Sequence, residues 1–423
     1  MKYLKLFDNH SDYDAYTNNM ITPNVSYCLL EDEVHFNGNV NYSKEYLTFE
    51  AIENGTISFN IWKSMGTEYI TSISYSTDNG ETWSTTNNTN NKSEHLTITV
   101  NVNEGDKVLW KGDAQQTGYY DDDDYSDTVG SFFSSTAEFN VYGNIMSLLY
   151  GDNFYGKTVL EYNYQFSHLF NDCDGENECN VVNAENLSLP ATTLADYCYQ
   201  DMFRDCTSLT SAPGLPATTL VTGCYYEMFL HCTGLVTAPE LPATTLASSC
   251  YENMFIRCSS LTSAPELPAT TLAGSCYSYM FDECTSLTTA PEILPATTLT
   301  NGCYQSMFYG CTSLTTAPEL PATTLAQRCY LNMFNGCTSL TSAPELPATT
   351  LVSGCYTYMF KGCSNLNYIK AMFTTTPSYE YTNYWVNGVA STGTFVKNSA
   401  ASWNVTGTDG IPSGWTVQTT DIR

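Results

Sequence analysis

The sequence predicts a mixed fold: a β-sandwich, then a solenoid of seven 26-residue coils, then a small β-rich cap. Three observations predict it. The hexapeptide Leu-Pro-Ala-Thr-Thr-Leu starts at Leu189, Leu215, Leu241, Leu267, Leu294, Leu320 and Leu346, a period of 26 with one extra residue, Ile293. Two cysteine ladders, Cys198 to Cys355 and Cys206 to Cys363, keep the same period. Between about Tyr46 and Val141 the apolar residues alternate instead, as in strands. These patterns divide the chain into a leading segment (1–45), the sandwich (46–142), the solenoid with an N-terminal capping unit (143–373) and the cap (374–423).

A period of 20–29 residues with Leu at fixed offsets is the range of leucine-rich repeats. The unit that begins at Cys258 reads CSSLTSAPELPATTLAGSCYSYMFDE. Leu261, Ala264 and Leu267 mark a short strand. Pro265 and Pro268 keep the following residues out of helix. Thr270 and Thr271 offer hydroxyls as N-caps. Leu272, Cys276, Met280, Phe281 and Cys284 then read as the apolar face of a short helix or helical turn. One unit cannot bury that face alone, so units must stack. At roughly 4.8 Å per coil the stack would extend about 35 Å. Phe166, Leu169, Phe170 and Cys173 imitate a unit at the start, and Leu366 and Ile369 fade into the tail at the end.

Fourteen of the 17 cysteines lie on the two ladders; the others are Cys28, Cys173 and Cys179. Two cysteines eight residues apart on a helix are separated by about 12 Å, too far to bridge. Rows of small buried side chains suit free Cys. Bridges between neighbouring coils and a zinc site are the alternatives, although no CxxC spacing occurs.

The CxxL…LPxxxLxxxCYxxMFxxC pattern resembles the BspA-type (Treponema-type) leucine-rich repeats of bacterial surface proteins. It covers a little under half of the chain. The departure is length, 26 residues where that class has about 23, and the additional residues fall around APELPATTL. The resemblance implies a right-handed solenoid used for adhesion or ligand capture.

Within the chain, the strand side of the unit barely changes, whereas the pairs after Cys-Tyr and after Met-Phe vary. On a helix these pairs point outward. They make Tyr226, Glu227, Leu230, His231, Ile256, Arg257, Tyr279, Tyr309 and Tyr358 the candidate ligand-binding residues. Drift on a solvated face is the bland alternative. Glu240, Glu266, Glu292, Glu319 and Glu345 stack in register, as a solvated rim or a cation-binding edge.

Strands are expected at Ile57–Trp62, Tyr69–Ser76, Leu96–Val102, Lys107–Gly112 and Ser135–Gly143, an Ig-like or carbohydrate-module-like sandwich. Ser76 to Trp83 matches the Asp-box SxDxGxTW of sialidase propellers. One copy excludes a propeller and leaves a hairpin around Asp78-Asn79-Gly80. Asp121, Asp122, Asp123 and Asp124, with Asp127, form an acidic loop and a weak calcium candidate.

No catalytic constellation stands out: GxSxG, HExxH, a phosphate loop and GxGxxG are all missing, and no cofactor is expected. The five His are scattered. A net charge of −29 without a basic patch speaks against nucleic acid and anionic membranes. No apolar run reaches the 18 residues of a membrane span. Residues 1–45, with PNVSYC and DEVHFN, resemble leader segments of virion proteins of gut-bacterial, crAss-like phages. That resemblance, and the lack of an export signal after Met1, make a phage head or tail fibre or decoration protein the expectation. Its solenoid would hold a host-surface glycan, mucus or protein, and residues 1–45 would dock to virion proteins. A BspA-like adhesin on the bacterial cell surface is the alternative and an intracellular scaffold the second. A homo-oligomer stays open.

Overall fold

The computed structural model describes residues 28–30, 33–35, 44–61, 72–87, 96–113, 118–120, 128–171 and 179–421. Two short hairpins, β1 (Cys28–Leu30) with β2 (Glu33–His35) and β9 (Gly118–Tyr120) with β10 (Thr128–Gly130), pair only within themselves. The strands β3 (Leu47–Ala51), β4 (Gly55–Ile61), β5 (Ser72–Ser76), β6 (Ser84–Asn87), β7 (Leu96–Val102), β8 (Lys107–Gly112), β11 (Phe132–Ser135) and β12 (Phe139–Asn144) form two facing antiparallel layers. One has the order β11-β4-β7; the other runs β12-β3-β8-β5-β6. In β7 only alternate residues (Ile98, Val100, Val102) are buried, because its other face meets solvent. Phe49 and Trp110 of one layer pack on Phe133 of the other at ring-centroid distances of 4.4 and 5.3 Å, Trp110 also meets Phe59 at 6.0 Å, and Phe139 stacks on Phe49 within its own layer. The alternation located β7 and β8 to the residue. It missed β3 and β11, which are buried on successive residues and read as plain apolar runs. The Asp-box residues do close a hairpin. The Asp78 carboxylate accepts from Thr82 Oγ1, Thr82 N and Ser76 Oγ, which holds its pKa down at about 2, and Trp83 Nε1 donates to Gly80 O.

The second layer does not end at β12. β12 pairs in parallel with β13 (Val181–Asn183) and β14 (Leu187–Ser188), the first rung of the repeats. From Asn183 single bridges pass through Ser211, Thr237, Ser263, Thr289 and Thr316. Ser342 then bridges to Tyr368 at the start of β15 (Tyr368–Ala371), followed in parallel by β16 (Thr394–Asn398) and β17 (Thr416–Thr420). The sandwich sheet is thus the N-terminal cap of the stack, and the tail continues it. At the seam Gly143 has φ +84°, and a Cβ there would collide with the Tyr46 carbonyl, so glycine is required.

The arc from Cys-Tyr to the second Cys is not a helix, contrary to the sequence expectation. It is a chain of overlapping turns with a left-handed residue at every fourth position, such as Ser275, Tyr279 and Glu283. Alternate amides therefore point in different directions. Cys276, Ser278, Met280, Asp282 and Cys284 close turns onto the carbonyl three residues back. Ser275, Tyr277, Tyr279, Phe281 and Glu283 donate instead to the next coil, at 2.7–3.0 Å. A helix would spend every N–H internally and leave the coils unjoined. Thr270 and Thr271 accordingly cap nothing; their amides donate to Thr244 O of the coil before.

Each coil buries the same set in the same register. Rings of Tyr199 through Tyr356 stack at 5.7–5.9 Å and those of Phe203 through Phe360 at 5.5–5.7 Å, within 10° of parallel. The fifteen cysteines from Cys179 to Cys363 are free and buried. The second ladder does more than fill space: the thiols of Cys232, Cys258, Cys284, Cys311, Cys337 and Cys363 each donate to a Phe carbonyl of the preceding coil at 3.0–3.1 Å. Burial pushes these thiols up, the first-ladder Cys303 to about 11. Only thiolates react readily. The fifteen should resist a maleimide or an aromatic disulfide reagent in the native protein and all react after denaturation, read by mass spectrometry. Rapid native labelling of any ladder cysteine would contradict the packing.

Candidate functional site

Each arc carries two variable pairs of side chains, one after Cys-Tyr and one after Met-Phe; most meet solvent, but Asp201, Leu230, Ser278 and Ser306 are buried. The second member of each pair is the left-handed residue: Asp201, Glu227, Asn253 and Tyr279 in one row, Asp205, His231, Arg257 and Glu283 in the other. The nine expected residues all belong to these pairs, five of them at the left-handed position, but the structure strings them along the stack rather than gathering them into one pocket.

The N-terminal half of the face is tied together by its own charges. Asp205 Oδ1 lies 2.8 Å from His231 Nδ1, Arg257 Nη1 lies 3.3 Å from His231 Nε2, and Arg257 Nε lies 2.5 Å from Glu283. Arg257 can only donate, so His231 Nε2 accepts and Nδ1 carries the proton towards Asp205. Beside this ladder, Arg204 reaches Glu227 at 2.7 Å and Asp201 at 3.3 Å. Asp201 is buried, which pushes its carboxyl up against the pull of Arg204. Burial, then the neighbouring Asp201, raises Glu227 as well. His168 approaches Asp201 at 3.5 Å, but burial lowers its pKa to about 4, so at neutral pH this is not an ion pair. Asn253 Nδ2 joins Tyr226 (3.2 Å) and Glu227 (2.9 Å).

Leu230 departs from expectation: it is only 6% exposed, seated in its row between Arg204 and Ile256 of the flanking coils. Ile256 is half-buried, so the two do not form an exposed apolar patch. Tyr279 accepts from Gln305 Nε2 at 2.8 Å. Tyr309 is half-buried. Tyr358 accepts from Asn383 Nδ2 at 3.2 Å and lies under the Lys361 ammonium. In this half the charged left-handed row gives way to Gly310, Gly336 and Gly362. Asp121 to Asp124 lie outside the described residues. Among the described residues no three His, Cys, Asp or Glu converge as metal ligands, and no helix is long and apolar enough to cross a membrane.

The sequence reading missed two cavities on the turn between Ala-Pro-Glu and Leu-Pro. One, about 490 Å³, is lined by Ala317, Pro318, Glu319, Leu320, Pro321, Pro344, Glu345 and Pro347. The other, about 580 Å³, uses the same positions three and more coils earlier, from Glu185 and Leu187 to Glu240 and Pro242. The additional residues around APELPATTL are the sequence signal for this groove.

Residues 176–304 and 251–386 match the family model of the BspA type leucine rich repeat region, in six copies. The stack is a leucine-rich repeat. The matched residues make up just under half of the 423. A crystal structure of a leucine-rich repeat protein from Bacteroides ovatus ATCC 8483 is similar at 13% identity, over 72% of this chain and 98% of that one. Its TM-score of 0.20 is too low to support an argument from superposition. No curated protein matches the chain.

The leucine-rich repeat arc also carries a titrating carboxyl at neutral pH. Burial and the neighbouring Glu283 raise Asp282 from 3.8 to about 7. A raised carboxyl favours the folded state while neutral. Its contribution is whole below about pH 4 and is lost as pH rises through about 7. Asp282→Asn should therefore raise the Tm at pH 8.5, by roughly 2–4 °C, and leave it unchanged near pH 4. An equal shift at both pH values would show that ionisation is not the cause.

Proposed function

We propose that the chain is a non-enzymatic, adhesin-type protein of the bacterial cell surface, which holds a host-surface glycan or protein on the outer face of its arcs. The carrying observation is the contrast within each coil. Tyr, Met, Phe and both Cys are buried in unchanging register from Cys198 to Cys363, while the residues between them that meet solvent change from coil to coil. A scaffold repeated that closely frees its outward positions for recognition. In this reading the sandwich, Ig-like in its facing layers, spaces the repeats from the anchoring surface.

The match to a BspA-type repeat supports the cell-surface reading over the phage-virion one. The virion expectation leaned on residues 1–45, most of which lie outside the described residues, and neither comparison speaks for it.

The test is binding of the full chain to arrayed glycans, mucins and extracellular-matrix proteins. A variant combining Arg257→Ser, Tyr279→Ser, Tyr309→Ser and Tyr358→Ser should bind its ligand about tenfold more weakly or worse, with unchanged circular dichroism. Leu230 is left intact because truncating it would damage packing. Unaltered affinity would remove the arc face from the proposal. Protease shaving of intact producing cells should release the protein. Recovery only from purified phage particles would restore the virion reading.

A further inference from the structure

We infer that a cavity where the sandwich meets the first rung of the repeats binds a single neutral sugar ring, through carboxamides and carboxylates on the outer face of the sheet. Lys107 of β8 is in register with Glu50 of β3, Glu50 with Asn140 of β12, and Asn140 with Asn183 of β13. Four polar residues therefore form one row across four strands. Their chain neighbours Val108, Phe49, Ala51, Phe139 and Val141 are buried in the core on the other side. The row reaches β13 only because that strand is bulged. Val181 pairs with Phe139 and Asn183 with Asn140, so Val182 is left over. Without the bulge Asn140 would face Val182. Bulges recur beside active sites, where they re-aim a side chain, and this one brings a third amide-bearing strand position into the row.

The row lines a cavity of about 250 Å³, together with Glu45, Tyr142 and Asn186. Sites for drug-sized ligands hold roughly 300–1,000 Å³, so this one suits a single small ring. Its polar groups decide the chemistry. Lys107 Nζ lies 3.8 Å from Glu50 and 5.4 Å from the centre of the Tyr142 ring, so the wall already answers its charge. Two carboxylates beside that one ammonium disfavour an anion. Among the described residues no three His, Cys, Asp or Glu converge to hold a metal ion. The carboxamides are the groups left to a ligand. Asn183 Oδ1 accepts from Glu185 N, and its Nδ2 is a further donor. Half-buried Asn140 and exposed Asn186 have no side-chain partner among the described residues. Each carboxamide both donates and accepts, as a ligand hydroxyl does, while the carboxylates only accept. A ring bearing neighbouring hydroxyls satisfies this mixture without bringing a charge into the cavity. The cavity shares no residue with the arc face, and its ligand need not be the one held there.

The probes are the methyl glycosides of glucose, galactose, mannose and N-acetylglucosamine, titrated against the full chain by saturation-transfer difference NMR. At least one should saturate in the millimolar range. The double variant Asn140→Ser, Asn186→Ser should raise its Kd about tenfold, the worth of two hydrogen bonds, with unchanged circular dichroism. The four-serine variant of the arc face should bind the same glycoside as the unaltered chain does, which separates this cavity from the arcs. Free lysine and inorganic phosphate, titrated in parallel, should give no saturable signal. Three results would overturn the inference: no saturation by any glycoside, undiminished affinity in the Asn140/Asn186 variant, or saturation by lysine or phosphate in place of the glycosides.

Discussion

The structure depends on the alternation of amide direction along each arc. Because every fourth residue is left-handed, half of the N–H groups close turns and the other half reach the next coil. The left-handed region costs an ordinary residue roughly 1–2 kcal/mol, and each arc takes that cost at one to three positions, glycine filling the others. The inter-coil bonds offset it, and they exist only while a neighbour is present. This explains why the ends are not simply left open. On one side Phe166 and His168 donate to Cys198 and Gln200 as a first, shorter arc. On the other, Tyr356, Tyr358, Phe360 and Gly362 donate to Tyr381, Asn383, Trp385 and Asn387.

The same constraint selects the outward face. The non-glycine left-handed positions hold Tyr, Asp, Glu, His, Asn, Arg and Ser, and none of them is β-branched, as expected where branching at Cβ makes positive φ prohibitive. Threonine and isoleucine appear on the arcs, but at right-handed neighbours such as Thr357 and Ile256. Variability on this face is therefore bounded. It is free in charge and size, and restricted in shape. The change from Glu283 to Gly310, Gly336 and Gly362 lies within that freedom, since glycine carries the least strain there.

Much of this was legible in one dimension, and the exceptions have physical causes. The period, the two thiol ladders and the alternation of Leu96–Val102 each reflect a contact made by every copy of a unit. The arc was misread because a four-residue turn repeat and a 3.6-residue helix place the same side chains on one side. The distinction was nonetheless present: Leu272, Cys276, Met280 and Cys284 are spaced at four throughout, a progression that would walk around a true helix. Leu230 looked exposed because sequence position gives the face but not the cover supplied by the coils above and below. The groove was invisible for a related reason. It belongs to no single unit and forms only between the turns of stacked ones.

The two faces handle charge in opposite ways, and this bears on what each can do. On the arcs, acids sit beside bases one coil away, so Asp205, His231, Arg257 and Glu283 satisfy one another, and an incoming ion would have to displace existing partners. On the turns, after Gly214 of the second coil, glutamate recurs from Glu240 to Glu345 without alternation, and only the last meets a cation, Lys370, among the described residues. Exposed carboxylates a coil apart are screened by solvent and salt, so the fold tolerates them. A self-satisfied row stabilises its own stack, whereas a row of like charges is left to the screening of solvent and salt.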